Sequence, residues 1–216
     1  MKIAVLGTGN VGQTIGAKLA SLNHEVIMGS RSADNEKAKN FSQQHDAKNG
    51  TFAEAAAQAE IIFNCVSGGA SMQALQLAGT ENLKGKILVD LSNPLDFSTG
   101  TLRLSVCNDY SLGEQIQRAF PETKVVKTFN TLWCGLMVNP HLIGEGNHQL
   151  FMCGNDSGAK TEVMTLLQTF GWNPLNIMDL GDITGARGME MYLPLWLRIY
   201  GVRKNGTFNM RIIEQG

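Results

Sequence analysis

With 216 residues the chain has material for one large domain. Hydrophobic residues make up 43 % of it, which argues against a disordered chain, and a formal net charge of -1 leaves no electrostatic pull toward nucleic acid or membranes. The four cysteines, Cys65, Cys107, Cys134 and Cys153, lack CxxC spacing, so core thiols in a reducing cytoplasm are expected in place of a disulfide framework.

The first apolar run, Ile3–Leu6, stops at Gly7, too soon for a secretory h-region, and no segment has the length to span a bilayer. That run predicts the first strand, and Val11–Ser21 the first helix. His24–Gly29 predicts a second strand and Asp34–Gln44 a polar second helix. Asn49-Gly50 marks a turn, and Thr51-x-x-Glu54 is a capping box that opens an alanine-rich helix. The continuous apolar run Ile61–Val66 predicts a buried strand, followed by a helix over Ser71–Ala78 and a strand over Ile87–Leu91. From Asn93-Pro94 to Asn108 the chain reads as loop. Ser111-x-x-Glu114 is a second capping box, whose helix must end before Pro121. Strands are predicted over Lys124–Phe129 and Leu150–Cys153, and a long helix over Ser157–Phe170 that Gly171 closes. The last predicted helix is Ile183–Tyr200, kinked or split by Pro194.

Strands alternating with helices predict an α/β fold: a Rossmann-type, doubly wound, mainly parallel sheet. A single domain over 1–216 is expected, with roughly 180–216 as a short helical C-terminal appendix. The apolar residues of that appendix, among them Met191, Leu195 and Trp196, would leave an exposed patch on a monomer, so a homodimer is expected through it.

Gly7-Thr8-Gly9-Asn10-Val11-Gly12 is GxGxxG, placed directly after the first strand and opening the first helix. In that context Gly7 serves the tight turn, Gly9 the close approach of a pyrophosphate and Gly12 the packing of helix on strand. The helix N-terminus adds free N–H groups and the positive end of its dipole. A glycine-rich turn in a non-binding fold is the alternative, and it has no need of this strand–loop–helix placement.

The end of the second strand selects the dinucleotide. An NAD site commonly places Asp or Glu there for the ribose 2′-OH, whereas this chain reads Met28-Gly29-Ser30-Arg31-Ser32. Arg31 can pair with a 2′-phosphate, Ser30 can donate to it, and Lys37 lies near enough to add charge, so NADP(H) is expected. Arg31 and Lys37 as ordinary solvated surface cations are the alternative.

Further candidates sit where other strands end: Ser67 with Gly68-Gly69, Asn93 with Pro94, and Asn130-Thr131-Leu132-Trp133. Asn93-Pro94 reads equally as a plain turn, and Trp133 as a core residue. No histidine or carboxylate has metal-ligand spacing, so no metal is expected. Arg187 and Glu190, three apart on the last helix, read as a surface pair at least as well as chemistry.

Taken together, Gly7-Thr8-Gly9-Asn10, Gly29-Ser30-Arg31, Ile87–Asp90 with Ser92-Asn93-Pro94, Val126-Lys127 with Phe129-Asn130, Cys153–Asp156, and Arg187 with Glu190 and Pro194-Leu195 resemble the F420-dependent NADP oxidoreductase family. The chain is also similar to the oxidoreductase domain of the STEAP metalloreductases. The resemblance implies that Thr8, Gly9, Asn10 and Val11 bind pyrophosphate, Ser30 and Arg31 the 2′-phosphate, and that Ser67 and Asn93 neighbour the ribose and nicotinamide. The archaeal members carry histidine where Asn130 stands and the STEAP-like pattern carries asparagine, which leaves the acceptor open between F420 and a flavin.

The expected function is therefore hydride exchange between NADP(H) and a planar small-molecule acceptor. Such transfer needs two rings placed together and water excluded, with no essential catalytic side chain. The expected acceptor pocket is Asn93, Pro94, Asn130, Thr131 and Trp133, near Arg187. Two other readings stay open: a dehydrogenase or imine reductase for a small metabolite, and a non-catalytic NADP(H) sensor.

Overall fold

A computed structural model describes residues 1–215. In chain order the regular elements begin β1 (Lys2–Leu6), α1 (Asn10–Ser21), β2 (Glu25–Ser30), α2 (Glu36–His45), β3 (Lys48–Thr51), α3 (Phe52–Gln58) and β4 (Ile61–Asn64). There follow α4 (Gly68–Ala78), α5 (Thr80–Leu83), β5 (Ile87–Asp90), β6 (Leu95–Asp96), β7 (Arg103–Leu104), α6 (Leu112–Ala119) and β8 (Lys124–Thr128). The chain closes with α7 (Cys134–Val138), β9 (Leu150–Gly154), α8 (Ser157–Thr169), β10 (Ile177–Asp179), α9 (Ala186–Met191) and α10 (Leu193–Arg203).

Eight strands form one sheet in the order β10-β9-β8-β5-β4-β1-β2-β3, parallel except where β9 meets β8 antiparallel. The order reverses between β1 and β4, the topological switch point at which open α/β sheets bind ligands. Alternation along the strands builds two cores. Ile3 and Val5 of β1 with Ile61 and Phe63 of β4 face α1, α2 and α8. Ala4, Leu6 and Ile62 face α3, α4, α6 and α9 on the other side. Both faces are covered, so the strands read as continuous apolar runs in the sequence.

Several expectations need correction. Asn49-Gly50 is no turn but the middle of β3, where Gly50 stands opposite Gly29 of β2. The free edge of β2 offers unpaired backbone groups, and that demand outweighs the poor strand propensity of Asn-Gly. Within the expected loop 93–108, β6 and β7 pair as a small antiparallel hairpin. The short elements α5 and β10 were also not expected; β10 continues the sheet beside β9.

The described part of the expected C-terminal segment, residues 180–215, carries the helices α9 and α10. It breaks at Tyr192, with Pro194 at the start of α10, and regular structure ends at Arg203. Beyond it the chain returns along the sheet: Gln149 N donates to Met210 O at 3.0 Å, and Phe208 stacks on Trp196 at 5.2 Å. Within this segment α9 packs into the fold, where Ala186 and Met189 belong to the second core. Leu193 is buried as well, so the fold itself covers part of the patch expected on the surface, while Met191 and Leu195 remain exposed.

Candidate functional site

The loop after β1 is shaped by two glycines. Gly7 stands at φ +112°, and a Cβ on it would sit 2.9 Å from the Cys65 carbonyl oxygen. A Cβ on Gly12 would lie 1.9 Å from the Gly7 carbonyl oxygen, so α1 closes on the loop only because none is there. Gly9 differs: a Cβ there would meet no protein atom within 4 Å, so that face opens outward. Gly9 is the N-cap of α1 and supplies no side-chain cap, which leaves the first N–H groups of the helix facing the opening. Such an end attracts phosphate through its N–H groups and dipole.

At the end of β2, Ser30 is buried and its hydroxyl donates to the Ser32 carbonyl oxygen, so its proton is already engaged. Arg31 and Lys37 are exposed. The nearby carboxylates, Asp34 and Glu36, lie 3.1 and 3.7 Å from Lys39, which engages both.

A cavity of about 520 Å3 gathers the loop ends: Gly9, Asn10 and Val11 from the first, Cys65–Gly68 after β4, and Leu91–Asn93, Leu95 and Phe97 after β5. Ser67 and Asn93 thus line the same cavity as Gly9, Asn10 and Val11. Asn93 is fixed by a reciprocal amide pair: its Nδ2 donates to Asn130 O at 2.8 Å, and Asn130 Nδ2 donates back to Asn93 Oδ1 at 2.9 Å. Asn130 Nδ2 also reaches Met189 O at 3.1 Å. The preceding Phe129 is fully buried at φ +65°, a conformation costing about 1–3 kcal/mol in a bulky residue, and it turns the chain out of β8 at Asn130.

Thr131, Trp133 and Arg187 lie away from this cavity. Thr131 lines a separate cavity of about 240 Å3 with Met189, Tyr192 and Met210, and its buried hydroxyl has no partner. Trp133 is wedged between Gly135 and Gly206, where added Cβ atoms would come within 2.2 and 2.5 Å of its ring. Pro94 is buried beside Asn93.

Arg187 and Glu190 do not pair with each other on the surface, as their spacing suggested. Arg187 grips Glu114 through Nε at 2.9 Å and Nη2 at 2.6 Å. That guanidinium, helped by the Ser111 hydroxyl, holds the Glu114 carboxyl below its ordinary range. Glu190 is buried and accepts from Leu112 N at 2.8 Å and Gly113 N at 3.0 Å, capping α6. The expected capping box at Ser111 takes an altered form: Ser111 Oγ accepts from Glu114 N at 3.1 Å, and the Glu114 carboxylate accepts from the Ser111 hydroxyl at 2.7 Å while Arg187 grips it from the other side.

Sequence reasoning passed over the centre beneath the site. Lys127 is fully buried on β8, with Asp90 Oδ2 at 2.7 Å and Glu190 Oε1 at 2.8 Å. Burial alone would depress this lysine, but the two carboxylates outweigh burial and raise its pKa. Asp90 Oδ1 in turn accepts from Asn64 Nδ2 at 2.7 Å and Ser92 Oγ at 2.7 Å. The signal was a lysine inside the apolar run Val125–Thr128, where an unpaired charge could not be buried. Among the described residues no group of three His, Cys, Asp or Glu is placed to hold a metal ion, and no helix is long and apolar enough to cross a membrane.

Residues 2–94 match the family model described as "NADP oxidoreductase coenzyme F420-dependent". The crystal structure of a candidate F420-dependent NADP-reductase from Arthrobacter sp. FB24 superposes with a TM-score of 0.93 at 48 % identity, over 99 % of this chain and 100 % of that one. The F420-dependent NADP reductase of Methanothermobacter marburgensis is 29 % identical over 92 % of each chain. The metalloreductase STEAP3 of Rattus norvegicus is 31 % identical over 90 % of this chain, which spans only 38 % of the rat protein's length.

Proposed function

Because the chain belongs to the F420-dependent NADP oxidoreductase family and is an NADP-dependent oxidoreductase, we propose that it passes hydride between NADP(H) and a planar conjugated acceptor, coenzyme F420 or a flavin. What carries this reading is the content of the cavity. It runs from the N-terminus of α1 to the Asn93–Asn130 pair, and among the described residues its lining holds no histidine, lysine or carboxylate. A site without an acid or base suits a reaction that needs positioning alone.

The residues fit the dinucleotide. The open face at Gly9 and the free N–H groups of Asn10, Val11 and Gly12 receive the pyrophosphate. Arg31 pairs with the 2′-phosphate and Lys37 adds charge; Ser30, its proton engaged, shapes the turn that presents Arg31. Ser67 and Asn93 flank the ribose and nicotinamide. Bound NADPH supplies a hydride from C4 of its nicotinamide and becomes NADP+. The tight Asn93–Asn130 pair holds one wall of the site while the apolar side chains Val66, Leu91 and Leu95 exclude water from the other. The exposed Met191 and Leu195 keep a two-fold dimer in this reading, and a monomer by light scattering at micromolar concentration would remove that part.

The test is a single turnover with NADPH stereospecifically deuterated at C4, with F420 as acceptor and mass analysis of the product. Deuterium on the ring carbon of reduced F420 is expected. Deuterium lost to water would exclude direct transfer. Absence of turnover with F420, FMN, FAD and quinones would replace the enzyme reading with that of an NADP(H) sensor.

A further inference from the structure

We propose that the buried group Asp90–Lys127–Glu190 tunes the bound dinucleotide: its net negative charge favours the cationic nicotinamide of NADP+ over the neutral ring of NADPH, and so makes bound NADPH the stronger hydride donor. This rests on the reading that the cavity holds NADP(H) and gives up hydride there. When the C4–H bond breaks, its electron pair leaves with the hydrogen for the planar acceptor, and the ring left behind carries one positive charge. A fixed charge near the ring therefore acts on one redox state and not on the other.

The sign of that charge follows from the side chains present. Among the described residues the buried Asp, Glu, Lys and Arg side chains are Asp90, Glu114, Lys127 and Glu190. Arg187 neutralises Glu114 through two contacts. In the remaining group one ammonium faces two carboxylates, which leaves a net charge of -1. Lys127 keeps its proton, because the carboxylates outweigh burial and raise its pKa. Beyond Lys127, only neutral dipoles hold the two acids. Glu190 takes Leu112 N and Gly113 N at the start of α6, and Asp90 takes Asn64 Nδ2, Ser92 N and Ser92 Oγ. Burying a second carboxylate against one lysine is unfavourable for stability alone, where a single acid would balance it. The position gives the excess charge a use. Asp90 Oδ1 stands 2.7 Å from Ser92 Oγ, and Ser92 lines the cavity of about 520 Å3 beside Asn93. One side chain thus separates the charge from the cavity, whose walls at Val66, Leu91 and Leu95 are apolar, so screening is weak. The 2′-phosphate and pyrophosphate are charged alike in both redox forms and cancel from the comparison.

Isothermal titration calorimetry with NADP+ and with NADPH, on the unmodified protein and three variants, reads the ratio of the two dissociation constants. The unmodified protein should bind NADP+ at least as tightly as NADPH. Glu190→Gln and Asp90→Asn each remove the excess charge. Each should weaken NADP+ relative to NADPH by about four- to fifteenfold, the effect of a unit charge roughly 10 Å away at an effective dielectric of about 20–40. Glu190→Asp disturbs the packing but keeps the charge, so its ratio should stay within about twofold of the parent. Equal losses for both nucleotides in the neutral variants, or a ratio moved as far by Glu190→Asp, make the group a scaffold only and overturn the proposal. NADPH bound more tightly than NADP+ by the unmodified protein also overturns it, and that arm needs no variant to fold. Turnover of NADPH with an unmoved ratio sinks the charge effect but spares hydride transfer. A shifted ratio without turnover on any acceptor sinks hydride transfer but spares the charge effect. Failure of the unmodified protein to bind either nucleotide overturns both.

Discussion

Lys127 Nζ lies 2.7 Å from Asp90 Oδ2, and neither side chain is reached by solvent. The ammonium also donates to the Ser92 carbonyl oxygen, so one buried cation ties β5 and β8 together at the point where the chain leaves for Asn93. Glu190 completes the group and carries it to the N-terminus of α6. The geometry of the candidate site is thereby set from below, by buried charges that hold Ser92 of its lining.

Removing the cation should be costly. Lys127→Met leaves Asp90 and Glu190 buried without compensation, and loss of one partner from such a group typically costs about 3–5 kcal/mol. Urea unfolding should register it, and adding Asp90→Asn and Glu190→Gln to Lys127→Met should recover part of the loss. A single variant within about 1 kcal/mol of the parent would contradict the arrangement.

In the proposed function, cofactor selectivity rests on Arg31. Charge-assisted bonds to a phosphate are worth roughly 1.5–3 kcal/mol, so Arg31→Ala should weaken NADPH by about 10- to 150-fold. NADH lacks that phosphate and should bind almost as before. Equal losses for both cofactors, measured by nicotinamide fluorescence, would mean that Arg31 serves the fold.

Gly9 separates binding from folding. A Cβ there would meet no protein atom within 4 Å, so Gly9→Val should keep a cooperative thermal transition near the parent Tm. In the proposed site the same side chain stands where the pyrophosphate approaches, so NADPH binding should be lost. Normal NADPH affinity in this variant would refute the loop assignment.

Acid should expose the Glu114–Arg187 pair. The Glu114 carboxyl is held below its ordinary value of 4.5, chiefly by its hydrogen bonds from Arg187. Its contribution to stability is therefore complete above pH 4.5 and is lost as the pH falls through its lower folded value. Glu114→Gln should be less stable at pH 7 and should show a flatter decline below pH 4.5 in denaturant titrations at successive pH values. Parallel profiles for the two proteins would remove Glu114 from the acid response.

The sequence by itself determined what short spacing can encode. The placement of Gly7, Gly9 and Gly12 between a strand and a helix, the missing carboxylate after β2, the Thr51–Glu54 box and the two-faced apolar strands all act within a few residues of each other. Each was legible because a turn, a cap or an alternation is satisfied locally. Only the tertiary structure decided which polar groups met across the fold. Glu114 shares its carboxylate between Ser111 and Arg187, 73 positions away, and Glu190 capped a helix 78 positions before it. Asn49-Gly50 became a strand once β2 presented an open edge to it. Lys127 became the centre of the site's support once the sheet brought Asp90 beside it and α9 delivered Glu190. A buried charge must find its partner wherever the packed chain places one, and linear spacing carries no record of that choice.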